Sequence, residues 1–142
     1  MNLGISKEQY ETMVKNIEEI KSVIKKPPDT NSPQGVKSIE KVKYFFYGLT
    51  KSLIDMGNRI IEEKELRRPR NNADVFISLA EHDIVMSSLV PGLKKAVFSM
   101  RRMSGCSYDE LLAIIGQSID AIHKCLDSYT VYFDFRLQSP KK

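Results

Sequence analysis

The stretch SIEKVKYFFYGLTKSLIDMGNRIIEEKE, residues 38–65, decides the fold. Val42, Phe46, Leu49, Leu53, Met56 and Ile60 recur at steps of three and four, so they share one face of a helix running from about Ser38 to Glu65. Tyr44, Phe45, Phe46 and Tyr47 are consecutive. Four consecutive helical residues point in all directions, so this girdle predicts burial on more than one side, as in a central helix or a subunit contact. Arg67-Arg68-Pro69-Arg70 marks the end of the helix.

The same period continues outward from it. On the N-terminal side, Ser6 and Gln9 form a capping box, and Tyr10, Met13, Val14, Ile17, Ile20, Val23 and Ile24 make one stripe that Pro27 and Pro28 terminate. Residues 29–36 carry Asn, Ser, Pro and Gly and predict a loop. On the C-terminal side, Asn71 or Asn72 caps a short helix with Val75, Phe76 and Leu79. Ser87 or Ser88 opens a fourth helix with Leu89, Leu93, Val97 and Met100 facing inward, and Gly105 closes it. Ser107 to Glu110 is a second capping box, followed by the stripe Leu111, Leu112, Ile115, Ile119, Ile122, Leu126 and Tyr129. The β-branched and aromatic run from Tyr129 to Phe135 holds a helix less securely, and residues 136–142 read as a flexible tail. The expectation is one all-α domain over 1–142, an antiparallel bundle of about five helices.

Composition narrows the function classes. At 142 residues the chain can bury a core without disulfides or a structural metal. Two Cys and two His exclude a disulfide scaffold and a zinc finger, and the Cys spacing suits a reducing cytoplasm. No apolar run approaches the roughly 20 residues of a membrane helix, and residues 1–11 lack the pattern of a signal peptide. No GK[ST] or GxGxxG loop, HExxH, CxxC, calcium loop or GxSxG elbow is present, so neither cofactor nor metal is expected. Asp55 near Asn58 reads as a boundary carboxylate or a helix–helix hydrogen bond.

The turn from Arg101 to Tyr108 stands out. It places Arg101 at a helix C-terminus and Tyr108 at a helix N-terminus, where backbone N–H groups favour an anion. The net charge of +4 gains an address there, because Lys94, Lys95, Arg101 and Arg102 form a candidate phosphate- or RNA-binding patch. A solvated basic helix face is the plainer reading of the same residues.

Three stretches together resemble the HepT-like proteins of the HEPN superfamily over residues 36–130, most clearly from Ile39 to Tyr129. The first is Ile54-Asp55-Met56-Gly57-Asn58 on the long helix. The second is Arg67-Arg68-Pro69 followed by Asp74-Val75-Phe76-Ile77-Ser78-Leu79-Ala80-Glu81. The third is the Arg101–Tyr108 turn. The family pattern in that turn is Arg-Asn, three residues, His, one residue, Tyr. Arg101 and Tyr108 match it, whereas Arg102 stands at the Asn position and Cys106 at the His position. Neither His82 nor His123 can be shifted into the motif.

The resemblance implies a homodimer with one motif per subunit facing its copy, a metal-independent RNase site, and a minimal nucleotidyltransferase as antitoxin-like partner. In such a site an imidazole takes the 2′-hydroxyl proton while Arg stabilises phosphoryl charge. Here the catalytic positions are Arg101, Cys106 and Arg102, with Cys106 expected to leave the nuclease weak or inactive. The resemblance also makes Tyr108 the acceptor of AMP from the partner, which blocks the site by bulk and charge. Two other readings stay open. One is a non-enzymatic helical module binding a nucleotide or a nucleotidyltransferase. The other is an active RNase that uses a Cys106 thiolate as its base.

Overall fold

The computed structural model describes residues 7–133. Among them are five helices: α1 (Lys7–Lys25), α2 (Pro33–Lys64), α3 (Asn72–Glu81), α4 (Val90–Arg102) and α5 (Tyr108–Phe133). The first capping box lies partly outside the described residues, as does the tail at 136–142. Within the run from Tyr129 to Phe135, α5 stays helical to Phe133.

At 1.5 Å per residue, the 32-residue α2 is about 48 Å long. It packs on α1, α3 and α5, while α4 lies between α3 and α5 and α1 also touches α5. The stripes read from sequence meet in one core. Ile17 and Ile20 of α1, Phe46, Leu53 and Ile60 of α2, Phe76 and Leu79 of α3, Leu93 of α4, and Leu111, Ile115, Ile122, Leu126 and Tyr129 of α5 are all buried. Fully burying one such side chain stabilises by roughly 1.5–3 kcal/mol.

The caps explain where the helices begin. Asn71 Oδ1 accepts from the Asp74 N–H at 2.9 Å, and Ser107 and Glu110 exchange hydrogen bonds of 3.0 and 3.1 Å as a capping box does. Helix α2 starts five residues before the Ser38 expected for it. Ser32 caps it, with its Oγ accepting from the Gly35 N–H at 2.9 Å, and Pro33 takes the first position, where its missing N–H costs nothing. The Pro and Gly of the expected loop are therefore the first turn of the helix. A short 3₁₀ turn over Ser87–Leu89 leads into α4, with Pro91 in its first turn.

The ends differ more from expectation. Two helices stop in left-handed residues that are not glycine, Glu65 at φ 53° and Asp83 at φ 62°. After α2 the Glu65 N–H bonds the Glu62 carbonyl at 3.3 Å and the Leu66 N–H reaches Ile61 at 2.9 Å. After α3 the Asp83 and Ile84 N–H groups do the same with Ala80 and Leu79. Both are Schellman closures, which glycine occupies with least strain. Replacing Glu65 with Gly is expected to stabilise by about 1 kcal/mol, because the left-handed conformation costs a side-chain-bearing residue about 1–2 kcal/mol. A denaturant midpoint that does not rise would count against this closure. Gly105, in contrast, has no positive φ and does not act as a left-handed cap. Helix α4 runs out at Arg102, Met103 keeps right-handed angles, and the Gly105 N–H closes a turn onto the Arg102 carbonyl at 3.0 Å.

The aromatic girdle of α2 is only partly covered by the described residues. Phe46 is fully buried and Phe45 half-buried, whereas Tyr44 is 76% and Tyr47 44% exposed. The outward tyrosines flank a groove of about 710 Å³ between α1 and α2, lined also by Gln9, Met13 and Leu49.

Candidate functional site

The α4–α5 turn is built from the two helix ends. Arg101 and Arg102 occupy the last turn of α4 and are exposed. Cationic side chains there complement the α4 dipole. Met103 is buried and anchors the turn, and Cys106 is half-buried against the core with its thiol 3.8 Å from the Met103 carbonyl oxygen. Tyr108 is the first residue of α5. Its ring packs against the core, and its hydroxyl crosses to α2 and donates to Glu40 Oε2 at 3.0 Å. That hydrogen bond to a carboxylate holds the Tyr108 phenol above its ordinary pKa. Glu40 Oε1 lies 3.5 Å from Lys43 Nζ.

The N-terminus of α5 is partly capped by its own residues. The Ser107 hydroxyl and the Glu110 carboxylate take part in the capping box, and Asp109 and Glu110 put two carboxylates in the first turn. These acids offset part of the attraction of an anion to the helix N-terminus, and the cations nearby in sequence are Arg101 and Arg102.

The remaining members of the basic patch point in different directions. Lys95 donates to Gln117 Oε1 of α5 at 3.0 Å. Lys94 lines a groove of about 570 Å³ against α3, together with Arg70 and Phe98. Lys94, Phe98 and Arg101 follow one another at i, i+4 and i+7, and Phe98 is 54% exposed. The helical period alone would have exposed Phe98 as an outward aromatic between cations. Glu40 had no comparable signal, since it is 68 residues from Tyr108.

Both histidines have other tasks. The His82 ring, at Nδ1, is 2.9 Å from the Ser78 carbonyl, to which it donates, and Lys21 Nζ lies 3.2 Å from His123 Nδ1. Cys125 is fully buried, and burial pushes its thiol up to about 12, which makes it inert. Asp55 forms a 3.7 Å exposed pair with Lys51, and Asn58 is exposed, so no buried polar site exists between them. Among the described residues no cluster of His, Cys, Asp and Glu could hold a metal, and no helix is long and apolar enough to cross a membrane.

The Arg67 to Glu81 segment is a structural clamp. Arg67 makes two hydrogen bonds to Asp74, at 2.8 and 3.0 Å, and one to Glu81 at 2.9 Å. The Arg70 N–H also donates to Asp74, and the Ser78 hydroxyl donates to the Arg67 carbonyl at 2.6 Å. The clamp ties the α2–α3 connection to the face of α3. Hydrogen bonds from Arg67, then from the Arg70 backbone, lower the Asp74 carboxyl to about 2. Its unfolded value is about 3.9, so its stabilisation is complete above that pH and is lost as pH falls through about 2. Carboxyl NMR is expected to show Asp74 titrating near pH 2, and Arg67→Ala is expected to return the midpoint most of the way towards about 3.9. A wild-type midpoint already near the ordinary carboxylate value would remove the clamp.

No family model matches the chain, and no curated protein matches it in sequence. Solved structures match it along nearly its whole length. A cytosolic protein of unknown function, YutE from Bacillus subtilis, is 18% identical with a TM-score of 0.70, over 96% of each chain. The tri-AMPylated HEPN toxin of Shewanella oneidensis, in complex with MNT antitoxin, is 17% identical with a TM-score of 0.73, over 87% of this chain and 95% of that one. A mutant of the toxin–antitoxin pair MntA–HpeT gives 18% and 0.72 over the same shares. The five-helix bundle of the described residues therefore has the fold seen in that HEPN toxin and in the MntA–HpeT pair.

Proposed function

We propose that the chain is the HepT-like member of a toxin–antitoxin pair, acting in the cytoplasm as a homodimer with a minimal nucleotidyltransferase as its partner. The observation that carries this reading is the likeness of fold, over 87% of this chain, to a tri-AMPylated HEPN toxin in complex with MNT antitoxin and to the MntA–HpeT toxin–antitoxin pair. Tyr108 supports it. Its hydroxyl lies at the surface of the turn, held by a single partner from α2 rather than buried. Tyr108 is the AMP acceptor, Arg101 and Arg102 hold phosphate, and Lys94, two turns before Arg101 on the same face of α4, extends the positive surface towards RNA.

As a nuclease the chain is weak or inactive. Cys106 occupies the position where the family carries its histidine, and its half-buried thiol faces a backbone carbonyl within its own turn. That placement favours a packing role over a base. The exposed Tyr44 and Tyr47 support a dimer, since outward aromatics on a central helix are what a subunit contact covers.

The test is incubation of the chain with an MNT-type nucleotidyltransferase, Mg²⁺ and ATP, followed by intact mass and peptide mapping. AMP on Tyr108, absent from Tyr108→Phe, is the expected result. An unmodified Tyr108 would leave a non-covalent binding module in its place. Light scattering at micromolar concentration is expected to give twice the chain mass, and a monomer would remove the dimer.

A further inference from the structure

We propose that Glu40 is the proton acceptor that makes Tyr108 a nucleophile towards a nucleoside triphosphate. The inference rests on the reading that Tyr108 takes AMP, and adds a second residue, from a different helix, to that reaction. A phenol at neutral pH keeps its proton and attacks phosphorus poorly unless a base removes the proton as the new bond forms. The Tyr108 hydroxyl already donates to Glu40 Oε2 at 3.0 Å, inside the 2.6–3.2 Å reach that proton transfer needs. Lys43, 3.5 Å from the other carboxylate oxygen, is the cation beside the pair. The carboxylate raises the phenol pKa, so it does not create a standing phenolate. It holds the proton on the line along which it must leave.

The step balances as follows. Tyr108 Oη attacks the α-phosphorus of ATP and the Oη–Pα bond forms. The bond from Pα to the bridging oxygen breaks, and pyrophosphate leaves with the electron pair. The phenol proton passes to Glu40, which later returns it to water. In the product the tyrosyl oxygen is esterified and carries no proton, and the phosphodiester charge lies close to the Glu40 carboxylate, so the original hydrogen bond cannot reform.

The chain supplies its own control. Tyr132 also donates to a carboxylate, Glu63, at 2.8 Å, but at the C-terminal ends of α2 and α5 and with Lys64 over its ring. If a tyrosine–carboxylate pair were sufficient, Tyr132 would react as well. The inference assigns the chemistry to the pair beside the α4–α5 turn.

The experiment uses the full chain with an MNT-type nucleotidyltransferase, Mg²⁺ and ATP, and follows initial rates of AMP transfer from about pH 5.5 to about 9. Glu40→Gln keeps an acceptor for the hydroxyl but removes the base. It is expected to slow transfer by about 10²-fold or more and to make the rate climb with pH where wild type is flat. Glu40→Asp is expected to recover part of the rate, and Glu63→Gln to match wild type. A purely structural Glu40 would lower the melting temperature without changing the shape of the pH profile. Wild-type rate and profile in Glu40→Gln, with AMP still on Tyr108, would overturn the role of Glu40 and leave the proposed function standing. No AMP on wild-type Tyr108 would overturn both.

Discussion

Changing Cys106 to His and Arg102 to Asn together is expected to raise cleavage of single-stranded RNA about 10²- to 10⁴-fold above the wild-type chain. The scaffold of the turn is in place: Arg101 stands exposed at the end of α4 and the buried Met103 anchors the loop. On the proposed reading the turn lacks the imidazole that would serve as acid and base. An imidazole, with a reference pKa of about 6.5, exchanges a proton in both directions at physiological pH. Residue 106 is half-buried, so a histidine there has a route to solvent, and the fold is expected to lose no more than about 1 kcal/mol. Asn at 102 removes a charge and supplies the amide of the HepT-like pattern that the turn resembles. A fluorescent oligonucleotide assay reads the gain, and Arg101→Ala in the doubly changed chain is expected to abolish it. A folded double variant that cleaves no faster than wild type would show that residue 106 does not stand at the reacting position.

Gly57→Val is expected to destabilise the chain by about 3 kcal/mol or more, a fall in melting temperature on the order of 10 °C. Helix α2 passes α3 and α5 here with no room for a side chain. A Cβ at Gly57 would lie 2.7 Å from Val75 Cγ1, 2.8 Å from Tyr129 Oη and 3.0 Å from Leu79 Cδ1. None of the three can withdraw easily. Val75 and Leu79 are buried on α3, and the buried Tyr129 hydroxyl is fixed by its 2.8 Å hydrogen bond to the Leu53 carbonyl. The better helix propensity of Val recovers only a few tenths of a kcal/mol. Gly48 is the control. It is on the same helix but exposed, and an added Cβ meets nothing within 4 Å. Gly48→Ala is expected to stabilise by about 1 kcal/mol. Thermal unfolding by circular dichroism separates the two, and equal melting curves for Gly57→Val and wild type would contradict this close approach.

Gly57 also shows how far the sequence could be read. It stood inside the Ile-Asp-x-Gly-Asn stretch of the resemblance, but that pattern did not say what it touches. The same holds for Arg67, Asp74 and Glu81, which share one stretch of the resemblance and prove to be one clamp. Cap residues were more legible. Ser107 with Glu110, and Asn71, act within three residues of themselves, and no other part of the chain can alter that arithmetic. Pro33 and Gly35 misled because both residue types serve loops and first helical turns alike. Only the Ser32 hydroxyl bonding the Gly35 N–H decides between them. The ends at Glu65 and Asp83 carried no glycine to announce them.

By itself the sequence determined five helices, the inward face of each, and a turn whose Arg101, Cys106 and Tyr108 carry only a resemblance in spacing to a HepT-like pattern. These follow from interactions between residues one helical turn apart, so the local order of the chain contains them. Only the tertiary structure decided that Tyr108 meets Glu40, that Gly57 admits two helices, and that Tyr44 and Tyr47 stay exposed among the described residues. Periodicity states which side of a helix turns inward. It does not state which residue waits there, because that depends on how rigid helices of different lengths settle against one another.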